Sequence, residues 1–464
     1  MKSIPCLFQK GRPVFLGLIL LTAGCSKDDP DSLDPSARTN NFSYELPLAW
    51  NKLYLDLERF TPGYRPPVSA RTLAYVNLAA YESVWPGMAG DYNSMADQWP
   101  GLALPQPESG KEYHWPSSMN AAYVEIMELF FPTAPAEQLY KIYALQTDYA
   151  LIYKQQVPND VYARSAAFGR SVANAVFNWS ASDAAGHEAY LRNNDPGYVP
   201  PAGTGIWQPT YPDFTPALLP HWGDVRTFAA DNSDVAPNPL AYSEIPSSDL
   251  YQQALAVKNL VTGIKNGHAD EDAWIADFWS DDCPILTFTP AGRWIAVLNQ
   301  VVERNKLHMD KAIEAYARIG LALSDAGVRA WHEKYRFNVE RPIDYIRRVQ
   351  NDPEWNTVMC PDGSGRFFTP PFPAYPSGHA TFGAAAAEVM TALFGAGYPM
   401  TDRCHEGRTE FNGTPRSFNN FYEMAEENAY SRIPIGVHFK MDSDAGLELG
   451  YGIGKKINAL PWRN

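Results

Sequence analysis

The chain has 464 residues, of which 45% are hydrophobic, 13% aromatic and only 19% charged, with a formal net charge of −14. That hydrophobic share supports a large packed core and excludes a disordered chain or a collagen-like fibre. The acidic balance argues against a nucleic-acid partner, which needs a clustered Lys/Arg surplus. The 39 prolines and 13 tryptophans point to a core wrapped in long, stiffened loops.

At the start, Lys2, Lys10 and Arg12 accompany the apolar run Val14–Leu21. Such a run suits the hydrophobic stretch of a signal peptide and is too short to span a bilayer. It ends in Leu21-Thr22-Ala23-Gly24-Cys25, which resembles a lipoprotein processing site with Cys25 as the lipidated residue. Thr22 departs from that pattern, which usually carries an aliphatic residue there. Ser26-Lys27-Asp28-Asp29 resembles the short acidic tag of surface-directed bacterial lipoproteins. The expectation is a cleaved segment 1–24, a flexible tether over 25–45 and a cell-envelope address at the outer membrane or cell surface. A plain secretory signal, giving a periplasmic or secreted protein, is the alternative. Cleavage removes three basic and no acidic residues, taking the charge from −14 to −17.

From Leu46 onward, apolar residues recur at helical spacing. The clearest stretches are 70–85, 119–132, 136–155, 159–179, 247–264, 289–303, 309–333, 378–395 and 442–459. Between them, 86–118, 180–245 and 351–376 are rich in Pro, Gly, Asp and aromatics and read as irregular. No run alternates long enough to build a sheet, and no span of ~20 apolar residues follows residue 24. The prediction is an all-α helical domain over 46–464 with elaborate loops. With Cys6 cleaved away and Cys25 acylated, Cys283, Cys360 and Cys404 remain. They have no zinc-type spacing, and Cys360–Cys404 is the candidate bridge.

Three segments carry chemistry. In Trp331–Pro342, Lys334 and Arg341 stand seven apart, two helical turns, so that both cations can face one side. In Pro371–His379, a proline-rich approach leads into an apolar helix with Ser377 near its N-cap. The N–H groups there form a ready oxyanion site, Gly378 allows close backbone approach, and His379 lies in the first turn. In Ser431–Asp442, His438 and Asp442 are four apart, so the carboxylate can fix the imidazole tautomer. The bland readings are a solvated helix end, a capped helix with an incidental histidine and a surface His–Asp pair. Thirty-three residues separate Pro342 from Pro376, and 51 separate His379 from Ser431.

Jointly these segments are similar to the signature shared by type 2 phosphatidic-acid phosphatases, bacterial acid phosphatases and vanadium-dependent haloperoxidases, over roughly residues 270–460. Phe372-Pro373-Ala374-Tyr375-Pro376-Ser377-Gly378-His379-Ala380-Thr381-Phe382 resembles the haloperoxidase version in particular. The resemblance implies a helical bundle of the chloroperoxidase and acid-phosphatase type. It also implies vanadate as cofactor, held by Lys334, Arg341, Ser377, Gly378, His379 and Arg432 with His438 bonded to vanadium. His379, His438 and Lys334 become the catalytic residues, acting on hydrogen peroxide and a halide. Trp331 and Phe372 match the halide pocket. Asp282, in Phe278-Trp279-Ser280-Asp281-Asp282, matches the acid that pairs with the pocket arginines, and Asp442 supports His438. Iodide or bromide is expected before chloride. A secreted phosphatase using a phospho-histidine is the alternative, and a surface sugar-binding lipoprotein is a third reading that leaves the motif unexplained. The other histidines, among them His268, His332 and His405, read as surface or loop residues. Membrane contact is expected only through the lipid, and the oligomeric state stays open.

Overall fold

The computed structural model describes residues 38–464 apart from 89, 284, 362 and 365. The expected signal peptide, Cys25 and most of the tether lie outside the described residues. Among those described, thirteen α-helices form: α1 (Glu45–Phe60), α2 (Pro66–Glu82), α3 (Trp115–Phe130), α4 (Ala136–Gln156), α5 (Asn159–Ala181), α6 (Asp249–Lys265), α7 (Asp270–Phe278), α8 (Pro290–Asn305), α9 (Met309–Phe337), α10 (Pro342–Val349), α11 (Gly378–Phe394), α12 (Phe421–Ser431) and α13 (Lys440–Asn458). Every stretch picked out by its helical spacing overlaps one of them, with ends displaced by up to four residues. Proline opens α2, α3, α8 and α10, where its missing N–H costs nothing. Ser248, Thr289, Ser377 and Asn420 cap α6, α8, α11 and α12 through their side chains. Strand pairing is confined to a short antiparallel ladder, Met400–Asp402 with Arg416–Phe418. No described helix is long and apolar enough to cross a membrane.

The core runs continuously from the N-terminal helices to the C-terminal ones. The 29-residue α9 is its axis, packed by α2 on one side and α11 on another. Helix α11 in turn packs against α12 and α13. Gly446, Gly450 and Gly454 make the last contact possible. A Cβ at these positions would come within 2.6 Å of the Ser377 carbonyl oxygen, 2.3 Å of that of Thr381 and 2.6 Å of Glu388 Cβ. This four-residue glycine stripe brings the N-termini of α11 and α13 together, with the Ser377 N–H donating to the Asp442 carbonyl at 2.8 Å.

A disulfide joins Cys283 to Cys360, which corrects the expected Cys360–Cys404 pair. Cys404 lies just past the first strand and is free, with Gln300 Nε2 donating to its sulfur at 3.1 Å. The bridge spans 77 residues of sequence and ties the segment after α7 to the irregular 351–376 stretch. Closing so long a loop restricts the unfolded chain. Reduction, or paired replacement of Cys283 and Cys360 by serine, should therefore cost about 2–4 kcal/mol. Denaturant midpoints that coincide with and without reductant would refute this.

Glu82 and Glu58 are among the carboxyls buried on the helices. Glu82 accepts from Ser94 Oγ at 2.8 Å and the Met95 N–H at 2.7 Å. Glu58 accepts from Ser69 and from the N–H and hydroxyl of Thr289. Burial pushes both up to about 7 from the ordinary 4.5. A folded pKa above the unfolded one means that the fold takes up protons the unfolded chain does not. This contribution to stability is complete below pH 4.5 and is lost as pH rises through about 7. Glu82→Gln should accordingly flatten the fall in stability between about pH 5 and pH 7. Urea unfolding across that range checks it, and a slope identical to wild type would exclude Glu82 as a source.

Candidate functional site

Lys334 sits in the last turn of α9, which ends where Asn338 takes a left-handed conformation with φ of 49°. The chain then turns, and Arg341 is the N-cap of α10. The seven-residue spacing therefore does not lie along one helix, as the periodicity suggested, yet both cations reach the same place. All three Lys334 donors are used, on the carbonyls of Pro373 (3.0 Å), Ala374 (3.0 Å) and Pro376 (2.6 Å). The ammonium thus clamps the proline-rich segment to α9. Arg341 joins that segment to the third one, with Nε on the Phe372 carbonyl at 2.9 Å and Nη1 on the Val437 carbonyl at 2.8 Å.

Ser377 Oγ accepts the Ala380 N–H at 3.4 Å, capping α11. At Gly378 a Cβ would lie 3.4 Å from the Trp331 ring, so the indole packs directly on the backbone. His379 follows in the first turn, its carbonyl held by Asn428 Nδ2 at 3.0 Å. His438 lies just before α13 rather than on it, because the helix begins at Lys440. The predicted pairing forms all the same. His438 Nδ1 is 2.9 Å from Asp442 Oδ2, which also accepts the Phe439 N–H at 3.0 Å. Gly436, with φ of +95°, makes the turn that delivers His438, and a side chain there would meet Val261 and Thr357. His438 Nε2 faces Arg341 Nη1 at 3.3 Å. Arg432, the C-cap of α12, donates through Nη1 to the Trp279 carbonyl at 3.2 Å.

Lys334, Arg341, Arg432, Ser377, His379, His438 and Asp442 are all buried. Burial pulls Arg341 down to about 9 and Arg432 to about 10, and it pulls Lys334 well below its ordinary value, helped by Arg341. Both imidazoles are held well below 6.5, by burial first and then by the neighbouring cations. They are therefore neutral at neutral pH, and the His438 Nδ1–H···Asp442 bond leaves Nε2 carrying the lone pair. Burial raises Asp282, while the fields of Arg65, Arg432 and Arg341 oppose that rise. The direct ion pair in this turn belongs to its neighbour Asp281, which meets Arg293 at 3.1 Å.

Arg293 centres a second buried group that spacing did not single out. Its guanidinium binds Asp281, Asp402 at 2.7 Å and the Phe278 carbonyl at 2.9 Å, and it lies over Phe278 and Trp279. His405 belongs here too, with Nε2 3.0 Å from Asp281 Oδ1. It is a loop residue, as expected, but buried rather than at the surface. His332 is partly exposed against Glu333 at 2.8 Å, and His268 is exposed after α6. Trp331 and Phe372 form one apolar wall, ring centroids 4.9 Å apart, with the indole N–H on the Leu218 carbonyl at 3.3 Å.

A family model described as the VCPO second helical-bundle domain matches residues 314–460. Vanadium chloroperoxidase of Curvularia inaequalis is 25% identical across 87% of this chain and 80% of its own. A solved structure described as the first bacterial vanadium-dependent iodoperoxidase aligns with a TM-score of 0.79 and 28% identity, covering 91% of this chain and 98% of that one. Over most of its length the chain is therefore similar to vanadium-dependent haloperoxidases. A holo-type bacterial vanadium-dependent chloroperoxidase, 16% identical with a TM-score of 0.64 over 86% of this chain and 92% of its own, shares the fold.

The region matched by the haloperoxidase family model contains every expected residue of the oxyanion site except Asp282. Four side-chain atoms in the cluster have no hydrogen-bond partner among the described residues: Arg341 Nη2, Arg432 Nε, His379 Nε2 and, on the far side of His438, Asp442 Oδ1. Buried polar groups are normally satisfied. Unsatisfied ones among three cations fit an oxyanion such as vanadate, whose oxygens accept from arginine forks and from N–H groups at a helix start. Asn428, the Trp279 carbonyl and the Arg293 group are the parts of the site that no motif announced.

Proposed function

We propose that this protein is a vanadate-dependent haloperoxidase that oxidises iodide or bromide, in preference to chloride, with hydrogen peroxide. The observation that carries this reading is the set of unsatisfied donors on Arg341 and Arg432 beside His379 and the Asp442-oriented His438, walled by Trp331 and Phe372. Arg341, Arg432, Ser377 and the Gly378 N–H would hold vanadate, with the Lys334 charge beside them and His438 Nε2 as its protein ligand. When bound, vanadate supplies Lewis-acid activation of the peroxide without a change in its own oxidation state.

The chain's own part is positioning and proton handling. Arg341 and Arg432 bring fixed positive charge that burial keeps unscreened. Lys334, immobilised on three carbonyls, adds a third charge at a set place. Asp442 holds His438 in the tautomer whose Nε2 can act as a ligand. His379 Nε2, neutral and without a partner, can take or return a proton. The Trp331–Phe372 wall keeps water from the oxidised halogen. The preference for heavier halides is supported by this apolar wall and by the greater structural likeness to the iodoperoxidase than to the chloroperoxidase.

Halide-by-halide peroxidation with and without vanadate tests the reading. Activity should appear on adding vanadate and be suppressed by phosphate. Absence of halide oxidation, with phosphate-ester hydrolysis by the vanadate-free protein, would instead mark a phospho-histidine phosphatase. We also propose, from the sequence of residues 14–29 alone, that Cys25 is acylated and tethers the enzyme to the envelope. Failure of a labelled fatty acid to be incorporated, or its persistence after Cys25→Ser, would exclude this.

A further inference from the structure

The catalytic cluster is buried, so a halide must be led to it. A cavity of about 240 Å³ has Asp282 in its wall, with Glu58, Arg59, Tyr64, Arg65 and Phe288 among its other lining residues. Two of these charged residues are already occupied. Arg59 Nε donates to the Ile285 carbonyl at 2.5 Å, and its guanidinium lies 4.7 Å from the Phe60 ring centre. Glu58 is bound by Ser69 and Thr289. Arg65 differs. Its backbone N–H bonds the Gly63 carbonyl, but its half-buried guanidinium has no hydrogen bond or close ion pair among the described residues. It lines the same cavity as Asp282, whose carboxyl also feels the fields of Arg432 and Arg341.

We propose that Arg65 and this cavity form a staging site for the halide, selecting iodide and bromide over chloride before either reaches the buried centre. The inference rests on the haloperoxidase reading and names the group that sets halide preference within it. A guanidinium is weakly hydrated and pairs at little desolvation cost with an anion that is itself weakly hydrated. The aromatic edges of Tyr64 and Phe288 favour the same ions, because chloride would surrender stronger hydration there. An ionised Asp282 would repel an anion, but burial disfavours its charged form and Arg65, Arg432 and Arg341 stand around it. Arg65 is the one of the three that lines the open cavity.

The test compares wild type, Arg65→Gln and Arg65→Lys. In the vanadate-loaded enzyme, Arg65→Gln should raise KM for iodide about tenfold, the worth of one charge-assisted hydrogen bond. KM for hydrogen peroxide should stay put and kcat should change less than KM. Arg65→Lys, which keeps the charge but not the weakly hydrated fork, should recover part of the loss and so exclude a folding defect. In the vanadate-free protein, bromide NMR line broadening should be present in wild type and lost in Arg65→Gln. Unchanged iodide KM and unchanged bromide broadening in Arg65→Gln, with wild type an active haloperoxidase, would overturn the staging site. Wild type that oxidises no halide would overturn the functional reading instead, while the bromide measurement still decides whether Arg65 holds an anion.

Discussion

Replacing His438 by alanine should abolish vanadate-dependent halide oxidation and weaken vanadate binding by more than the 10–100-fold typical of losing a residue that merely orients a ligand. Three consequences act together. The Nε2 lone pair disappears, and no other neutral imidazole in the cluster is oriented by a carboxylate. Asp442 is left buried with the Phe439 N–H as its remaining side-chain partner and its other oxygen already unsatisfied, in a site where burial pushes its carboxyl up to about 7. Arg341 Nη1 also loses one of its two acceptors. Asp442→Ala should fall in the milder range, about 10–100-fold, because the imidazole survives but no longer has its tautomer and orientation fixed. Vanadium NMR or calorimetry of vanadate binding reads both variants without relying on turnover. Undiminished binding by His438→Ala would remove His438 from the site.

The contrast between His438 and its surroundings shows how much was legible in the sequence. Chemistry-bearing residues stood out because the reaction demands particular types at particular separations, and Lys334, Arg341, Ser377, His379, Arg432 and His438 do converge. The backbone that brings them together was less legible. Lys334 and Arg341 suggested a continuous helix, but Asn338 adopts a left-handed conformation and the chain re-enters α10 through Pro342. Helices α7 and α10, of nine and eight residues, are too short for their apolar period to rise above the surrounding loops. Helix α1 was passed over although Leu46, Trp50, Leu53 and Leu57 keep the period. The disulfide partner could not be deduced, because pairing among Cys283, Cys360 and Cys404 depends on how two long loops fold back. Asp281, Arg293, Asp402 and His405 left no trace for the same reason. They come from three separate segments, the turn after α7, α8 and the 402–405 stretch, and scattered charged residues look like surface until the fold closes over them.

That group carries the largest expected stability effect. Arg293, Asp281, Asp402 and His405 are all buried, and the guanidinium holds both carboxylates, keeping Asp402 below its ordinary range. Burial and Arg293 together hold His405 down, so it supplies little positive charge of its own. In Arg293→Met the two carboxylates would face each other in the interior without a cation, while the aromatic faces of Phe278 and Trp279 would lose their guanidinium. Breaking a buried ion pair from one side costs about 3–5 kcal/mol, whereas replacing all partners by neutral groups can be nearly free. Arg293→Met combined with Asp281→Asn and Asp402→Asn should therefore be more stable than Arg293→Met alone. Arg293→Lys should fall between, since one ammonium cannot span both carboxylates as the fork does. The effect also reaches the oxyanion cluster. Arg293 holds the Phe278 carbonyl and Arg432 holds the next one, Trp279. Loosening that turn should weaken vanadate binding even where Arg293→Met remains folded. Denaturant unfolding of the three variants decides the matter: if Arg293→Met is as stable as wild type, the two carboxylates are protonated or hydrated and the buried-pair account is wrong. If the triple variant is no better than the single, the lost stability comes from packing on Phe278 and Trp279 rather than from unpaired charge.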